Sequence, residues 1–265
     1  HQTLLDIMSG LDTSSIRIPI TRITTFKRIG TLPKLFADDP FYDRISEQTA
    51  ISNYLTNKKP FIGVYGRGGI GKTALMCKVL GDFENGADLD GVIYLRANST
   101  PALNGEMVLD ALAKLLPDEH DFYNKRADNQ LPFIEKIRLV LNGLAGGHYV
   151  MFIDNFETLQ NPENHTITDE TIRDFVNLVL EMRGNGIFSL IITTRYPLLF
   201  SNTLKPYEVI ARLDEGLPLA DAIQFLREID TQGNLPADDA QLAVWTQKVG
   251  EFPRGLEVLV VSCTT

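Results

Sequence analysis

The stretch that decides the fold of this chain reads Gly66-Arg67-Gly68-Gly69-Ile70-Gly71-Lys72-Thr73. Its glycine, lysine and threonine positions match the phosphate-binding loop, or P-loop, of nucleotide-binding proteins in full. Glycines lack a Cβ, so the backbone wraps closely around an anion, and its N–H groups point inward at the start of a helix. A short apolar run, Phe61 to Tyr65, precedes the loop, and a helical pattern, Thr73 to Leu80, follows it. The sequence therefore predicts a strand, a phosphate-binding loop and a helix; a glycine-rich turn that only caps the helix is the alternative.

The side chains of this loop predict how a nucleotide and its metal ion bind. Lys72 is expected to lie against the β- and γ-phosphates and to act in catalysis, and the Thr73 hydroxyl is expected to ligate Mg²⁺. The residues that we assign to nucleotide binding here are Gly66, Gly68, Gly69, Ile70, Gly71, Lys72, Thr73 and Ala74.

A second metal-binding group is expected at the end of a neighbouring strand. The apolar run Tyr149 to Ile153 is followed directly by Asp154. In a parallel sheet such a residue lies at the carboxyl edge, where ligands of open α/β folds bind. We therefore predict that Asp154 holds Mg²⁺ through water and takes part in catalysis. The alternative is an aspartate that only caps the next turn.

The residues after Asp154 bear on the rate of hydrolysis. Many NTPases place a second acid here to polarise the attacking water, but position 155 is asparagine, which accepts no proton at neutral pH. Glu157 is the nearest substitute in catalysis, and it either reaches the water or is a solvated surface acid. We therefore expect hydrolysis to be slow.

An arginine follows the next apolar run, Phe188 to Thr193. At the carboxyl edge of the sheet, an arginine is able to touch the γ-phosphate and to distinguish a triphosphate from a diphosphate. We assign this catalytic role to Arg195; a surface arginine paired with a nearby acid is the alternative. Arg67 and Arg254 are weaker candidates, for which solvated positions are the alternative.

Strand and helix patterns alternate along most of the chain. Short apolar runs predict further strands at Gly91 to Leu95 and Tyr207 to Ala211, and helical periodicity predicts helices at Ser46 to Leu55, Met107 to Leu116, Phe133 to Leu144 and Thr171 to Arg183. This order predicts an α/β fold: a P-loop NTPase with a parallel sheet covered by helices on both faces, followed by a small all-helical subdomain.

Three segments are expected along the chain. Residues 1–36 are interpreted as a lead-in or linker, residues 37–212 as the nucleotide-binding domain and residues 213–265 as the helical subdomain. Strand patterns stop near Leu213, and three helical runs follow at Leu219 to Ile229, Asp238 to Val249 and Leu256 to Cys263.

The composition of the 265-residue chain is that of an ordinary globular protein, with 44% hydrophobic and 22% charged residues. The net charge of -9 makes general affinity for nucleic acid or an anionic membrane an unfavourable interpretation. No apolar run approaches the roughly 20 residues of a membrane span. Cys77 and Cys263 lie in apolar surroundings, which favours a reducing, cytoplasmic location over a disulfide framework or a zinc site. Since the chain begins with His1 and not with methionine, we expect a piece of a longer protein.

The order of four motifs resembles that of the NB-ARC-type ATPases of the STAND class. The four are the P-loop, VMFIDNFE at Val150 to Glu157, ITTR at Ile192 to Arg195, and Gly250-Glu251-Phe252-Pro253. The resemblance extends from about Phe41 to the C-terminus. It implies a P-loop NTPase joined to the first helical domain of the NB-ARC type, with ATP or ADP and Mg²⁺ as cofactors.

The resemblance also implies residues for the adenine end of the nucleotide. In the family, a Gly-Arg-Glu run just before the ATPase core helps to position the adenine. Phe41 and Arg44 match this element, whereas Asp43 and Ile45 replace its glycine and glutamate. A second family element places a proline on the adenine at the start of a helix, and Pro253 matches it, which also suits proline at a first helical turn.

The function that the resemblance implies is a signal-transduction switch. In such proteins ADP holds the helical subdomains on the nucleotide domain, and exchange for ATP releases them, permits oligomerisation and activates an attached effector, here in immune or antiviral defence. The implied partners are other copies of the chain and effector and sensor domains outside this piece. The family's winged-helix and sensor domains are not expected within it.

Three other functions remain open at this point. A metabolic P-loop NTPase or kinase would use the same loop but should carry an arginine-rich lid, which the sequence lacks. A nucleic-acid-remodelling relative of the AAA+ class predicts a basic stripe. A module that holds nucleotide without turnover is favoured by Asn155.

Overall fold

The computed structural model describes residues 26–33, 41–42, 44–85, 89–116, 131–144, 146–182, 188–231, 233, 235 and 237–262. Within these residues six strands form one sheet in the order β1-β3-β4-β5-β2-β6, and every neighbouring pair is parallel. The strands are β1 (Lys27–Ile29), β2 (Phe61–Gly66), β3 (Gly91–Arg96), β4 (Tyr149–Asp154), β5 (Phe188–Thr194) and β6 (Glu208–Leu213).

The same residues form eight α-helices, and most of them lie between consecutive strands of the sheet. They are α1 (Ile45–Thr56), α2 (Lys72–Asn85), α3 (Gly105–Ala113), α4 (Phe133–Gly143), α5 (Glu170–Glu181), α6 (Leu219–Ile229), α7 (Asp239–Lys248) and α8 (Pro253–Ser262). All five predicted strands and all eight predicted helices are present, with ends that differ by a few residues. The described part of the chain holds no helix with the length and apolar character of a membrane span.

Helices cover both faces of the sheet, as predicted. The inner strands β4 and β5 are buried along their whole length, which requires apolar side chains on both sides. One face packs against α3, α4 and α5 through a cluster that includes Val108, Leu141, Phe175 and Phe188. The other packs against α1 and α2 through a second cluster that includes Ile51, Leu55, Leu75 and Phe152.

The last three helices pack on one another around a separate apolar cluster. We call α6, α7 and α8 the helical unit, and its buried residues include Leu226, Leu242, Leu256 and Val260. The chain enters it from the end of β6 through residues 214–218. The change from sheet to helix therefore falls where the strand patterns of the sequence stop.

β1 departs from the expectation for residues 1–36, which were interpreted as a lead-in or linker. Residues 27–29 instead form the edge strand beside β3. The Lys27 ammonium donates to the carbonyls of Lys114 and Leu116 just after α3, at 3.1 and 2.6 Å. Three residues are too few to establish a periodicity, so this strand leaves no signal in the sequence. Residues 1–25, 34–36, Asp43, Arg183 and Cys263 lie outside the described residues.

Replacing Phe175 by alanine tests the core between α5 and the sheet. Its ring is fully buried and meets Phe188 edge to face, with centroids 6.3 Å apart. We expect Phe175→Ala to lower the free energy of unfolding by about 3–5 kcal/mol, because a cavity remains where the ring was. Urea denaturation measures this change. Leu199→Ala, at a side chain that is 67% exposed, is the control and should change it by less than about 0.5 kcal/mol.

Candidate nucleotide-binding site

Three chain segments from different parts of the sequence meet at the carboxyl edge of the sheet. β2 leads into the P-loop at Gly66, β4 ends at Asp154 and β5 ends at Thr194. β5 pairs with both β2 and β4, so the three ends are adjacent. The structure therefore brings the predicted P-loop, the predicted metal-binding aspartate and Arg195 together.

The P-loop takes a backbone conformation that depends on its glycines. Gly69 and Gly71 have φ angles of +76° and +101°, in the left-handed region that L side chains rarely adopt. α2 begins directly afterwards at Lys72, and the Leu75 N–H donates to the Gly71 carbonyl at 2.9 Å. The free N–H groups of the first turn of α2 thus follow the loop without a break, which is the geometry that binds anions at helix N-termini.

Lys72 lies folded against its own loop. Its ammonium donates to the carbonyls of Gly66 and Arg67 at 2.8 and 2.9 Å, and the residue is only 8% exposed. Burial lowers the pKa of the Lys72 ammonium, and the negative charge of the nearby Glu157 carboxylate opposes this effect. A buried cation with a flexible stem at this place is able to turn toward a phosphate.

Asp154 is the centre of a hydrogen-bond network. Its Oδ1 accepts from the hydroxyls of Thr73, at 2.8 Å, and Thr193. The Tyr94 hydroxyl lies 3.4 Å from Oδ2, and the Asn155 N–H donates to the Thr193 hydroxyl at 3.1 Å. The carboxylate is 2% exposed, so these partners fix its orientation.

The oxygens of Thr73 and Asp154 fit a Mg²⁺ ion. Mg²⁺ prefers hard oxygen ligands and keeps several waters, so it needs only one or two protein ligands beside the phosphates. The Thr73 hydroxyl and the Asp154 carboxylate are in direct contact at the first turn of α2. These two residues would hold the ion next to the phosphate-binding loop. Thr193 and Tyr94, which position Asp154, were not singled out in the sequence.

Glu157 and Arg195 form an ion pair at the rim of the P-loop. Asn155 adopts a left-handed conformation, with φ of +58°, and the following turn returns Glu157 toward the sheet edge. Arg195 Nε donates to Glu157 Oε1 at 3.1 Å, while the other carboxylate oxygen is buried and has no partner among the described residues. A Cβ on Gly68 would lie 2.9 Å from an Arg195 nitrogen. Arg195 is therefore paired with an acid, as expected for a surface arginine. It also lies against the P-loop, as an arginine that touches the γ-phosphate would have to.

Arg44 uses its side chain to hold the linker before the helical unit. Its guanidinium donates to the Glu215 carbonyl at 2.5 Å and to the Glu47 carboxylate at 3.1 Å, and the residue is 6% exposed. Its backbone has a φ of +66° just before α1. The Arg44 guanidinium is thus engaged with the chain itself, through both of its terminal nitrogens.

A cleft of about 620 Å³ lies between α1, the linker and the loop before α8. Its wall includes Arg44 together with three acidic residues, Glu47, Glu215 and Glu251. Neither Phe41, which packs on the α1 and α2 side of the sheet, nor Pro253, the first residue of α8, is part of this wall. The three acidic residues outnumber the one cation in this wall, which disfavours phosphate there.

The helical unit touches the P-loop directly. The Arg254 N–H donates to the Gly69 carbonyl at 3.2 Å. The Arg67 guanidinium lies over the Phe252 ring, 5.8 Å from its centroid, a cation–π contact. The side chain of Arg254 is 71% exposed, so the alternative of a solvated arginine is correct for it and only its backbone joins the contact. The exposed Arg67 contacts Phe252 through its guanidinium.

Thr193→Val tests the positioning of Asp154. Valine has the same shape but no hydroxyl, so Asp154 loses one donor and the Asn155 N–H loses its acceptor. We expect the Mg²⁺ concentration needed for half-maximal nucleotide binding to rise about tenfold, because a hydrogen bond to a charged group contributes about 1.5–3 kcal/mol. Titration of binding with Mg²⁺ measures this. Thr193→Ser keeps the hydroxyl and should stay within about twofold of the unchanged chain; equal losses in both variants would contradict the assignment.

Comparisons with solved structures agree with this fold. The Walker-type ATPase PABY2304 of Pyrococcus abyssi is 15% identical, with a TM-score of 0.53 over 86% of this chain and 69% of that one. The structure of the Aeropyrum pernix ORC1 protein in complex with DNA is 18% identical, with a TM-score of 0.53 over 86% of this chain and 62% of that one. At these identities the likeness concerns the fold alone. A search of curated proteins finds no match.

The family is identified by sequence. The model of the NB-ARC domain matches residues 46–198, which is more than half of the chain and contains the P-loop, Asp154 and Arg195. The chain therefore belongs to the NB-ARC family of nucleotide-binding P-loop ATPase modules.

Proposed function

We propose that the chain is an ATP/ADP-dependent switch module of a signal-transducing ATPase, in which the bound nucleotide sets the position of the helical unit. The observation that carries this proposal is the contact of the helical unit with the P-loop, through Arg254 on Gly69 and Phe252 on Arg67. A ligand held by the loop therefore acts on an interface between two parts of the chain. Nucleotide-dependent association with further copies would then control an attached effector, in immune or antiviral defence.

The P-loop and its cations provide the phosphate contacts. Backbone N–H groups from Gly69 to Ala74 bind the phosphates, and Lys72 turns from the loop carbonyls toward the β- and γ-phosphates. Arg195 is placed to meet the γ-phosphate, which competes with Glu157 for the guanidinium. Only a triphosphate offers this competing charge, so the Arg195–Glu157 pair is the element that responds differently to ATP and ADP.

Thr73 and Asp154 would hold Mg²⁺, which supplies positive charge that offsets the phosphates. Without the ion, the Thr73 hydroxyl donates to the Asp154 carboxylate. The Thr193 hydroxyl donates to the same carboxylate and would keep it in place when Thr73 turns toward the ion. The chain thus contributes one hydroxyl and one carboxylate, both held close to the required positions.

Slow hydrolysis follows from the acid that this site offers. Asn155 stands where a second acid often follows the metal-binding aspartate, and it accepts no proton at neutral pH. Glu157, the nearest carboxylate, is paired with Arg195 and becomes available to the attacking water only after the γ-phosphate has drawn Arg195 away. Nucleotide occupancy then lasts long enough to act as a state.

The proposed change of state is measured as a distance between the two parts. Spin labels on Lys59→Cys, before β2, and Gln247→Cys, at the end of α7, report it in a Cys263→Ser background; both label positions are exposed. With ADP we expect one short, narrow distance distribution. With a non-hydrolysable ATP analogue and Mg²⁺ we expect a longer and broader distribution. The γ-phosphate draws Arg195 from Glu157, and Arg195 lies against Gly68, next to the Gly69 carbonyl that contacts α8.

Lys72→Ala is the control for this measurement, since it removes the cation that binds the phosphates. Its distance distribution should not respond to either nucleotide. Identical distributions with ADP and with the ATP analogue in the unchanged chain, at saturating concentration, would refute the switch.

Turnover tests the role of Glu157. We expect a kcat below about 1 s⁻¹ for the unchanged chain, at the slow end of enzymes. Glu157→Gln should reduce it by a further factor of about 10²–10⁴, the usual contribution of a general base. Phosphate release under saturating ATP and Mg²⁺ measures both. Turnover of many ATP per second, or an unchanged rate in Glu157→Gln, would show that this account of hydrolysis is wrong.

A further inference from the structure

The N-terminus of α8 is directed at one peptide of the P-loop. Arg254 is the second residue of α8, and the first N–H groups of a helix have no partner within the helix. The N–H of Arg254 instead donates to the carbonyl of Gly69 at 3.2 Å. The helical unit thus satisfies one of its own free donors with a carbonyl of the phosphate-binding loop.

This contact fixes the direction of the next N–H group in the loop. A peptide unit is planar and trans, so its C=O and N–H point in opposite directions. The Gly69 carbonyl faces α8, and the Ile70 N–H therefore faces away from α8. A phosphate cradle needs its N–H groups to point inward together.

The chain itself does little to hold this peptide in one orientation. This peptide turns about ψ of Gly69 and φ of Ile70, and Gly69, with φ of +76°, has no Cβ to restrict its side of the turn. The Ile70 side chain is buried, at 1% exposure, but it does not fix the carbonyl of the preceding residue. A donor from outside the loop is therefore an effective way to select the orientation.

We propose that the N-terminus of α8 orients the Gly69–Ile70 peptide for phosphate binding, so that docking of the helical unit sets the nucleotide affinity of the P-loop. Arg254 is then a positioning residue that acts through its backbone N–H. The cation–π contact between Arg67, just before Gly68, and Phe252, just before α8, supports the same contact between the loop and the start of α8. This inference deepens the proposed switch and rests on nucleotide binding by this P-loop.

The coupling acts in both directions. If docking of α8 raises the affinity of the P-loop for ADP, ADP must stabilise the docking of α8 by the same factor. Any partner that pulls the helical unit away would then weaken ADP binding and release ADP. The coupling between docking and ADP affinity therefore bears on the exchange of ADP for ATP.

A steric wedge between the two parts tests the coupling. A Cβ on Gly69 would lie 2.4 Å from the Cβ of Arg254, so Gly69→Ala forces α8 and the loop apart. We expect it to weaken ADP binding at least about tenfold, because the overlap adds to the strain of alanine at positive φ. Adding Arg254→Gly removes the opposing Cβ and should restore affinity about fivefold or more, the size of coupling between residues in contact.

Arg254→Ala is the matched control for this rescue. It removes the guanidinium, with its ion pair to Glu257, but keeps the Cβ and the N–H. The pair Gly69→Ala with Arg254→Ala should therefore bind ADP as weakly as Gly69→Ala alone. Equal affinities of the two double variants, each corrected for its single change at position 254, would overturn the proposal, as would an unchanged affinity in Gly69→Ala.

A second variant removes the N–H itself. Arg254→Pro lies in the first turn of α8, where proline costs no helical hydrogen bond. We expect it to bind ADP at least about tenfold more weakly than Arg254→Ala, because proline has no N–H to donate and its Cδ overlaps the Gly69 carbonyl oxygen, which lies 3.2 Å from the Arg254 nitrogen. Circular dichroism checks that the variant is folded. Equal ADP affinities in these two variants would overturn the role of the N–H.

Thermal unfolding without nucleotide separates this inference from the switch. A midpoint that falls in Gly69→Ala and recovers with Arg254→Gly, but not with Arg254→Ala, reports the contact alone. If affinity is rescued while the label distances do not respond to ATP, the switch fails and the coupling stands. If the labels respond and the affinity is not rescued, the coupling fails and the switch stands.

Discussion

The position of β5 between β2 and β4 determines how the site is assembled. Neighbouring strands are about 4.8 Å apart, so the strand before the P-loop and the strand that ends at Asp154 are separated by about two such spacings. The end of β5 fills this interval, where Thr193 contacts Asp154 and Arg195 lies against Gly68. The end of this one strand thereby positions both Asp154 and Arg195 beside the loop.

Charge is divided between the two ends of the site. The P-loop end carries the cations Lys72, Arg67 and Arg195 beside the acids Asp154 and Glu157. The wall of the cleft near the linker instead includes one cation, Arg44, and three acidic residues, Glu47, Glu215 and Glu251. In a chain with a net charge of -9, the local excess of cations at the P-loop end focuses the field on anions that enter the loop.

The sequence predicts those parts of the site that carry a side-chain signature in a strong context. The P-loop, Asp154 and Arg195 each follow a buried apolar run, and a parallel sheet brings the ends of such runs to one edge. Thr193 carries no such signature, because a threonine within a strand is common for its β propensity alone. The N–H of Arg254 has no signature at all, since every residue except proline has one.

Arg44 shows a different limit of sequence motifs. The family resemblance implies a place for this residue near the base, and the structure shows only that it lies on the wall of the cleft. Its guanidinium, however, is bonded to the Glu215 carbonyl of the linker. A motif thus gives the position of a residue along the chain but not which of its atoms faces the ligand, because that depends on partners far away in sequence.

Phe41 and Tyr42 are neighbours in the chain, yet Phe41 packs on the sheet and Tyr42 packs on the helical unit. Phe41 contacts the α1 and α2 side of the sheet, and the Tyr42 ring meets Phe225 of α6 edge to face, with centroids 5.9 Å apart. Besides the contact of α8 with the P-loop, the described residues attach the helical unit at two places, covalently through residues 214–218 and by packing on Tyr42. Once released from the P-loop, a rigid unit that stays attached at these two places moves most easily by rotating about the line that joins them. A sliding displacement has to stretch the linker or pull Tyr42 from α6, since adjacent Cα atoms stay about 3.8 Å apart.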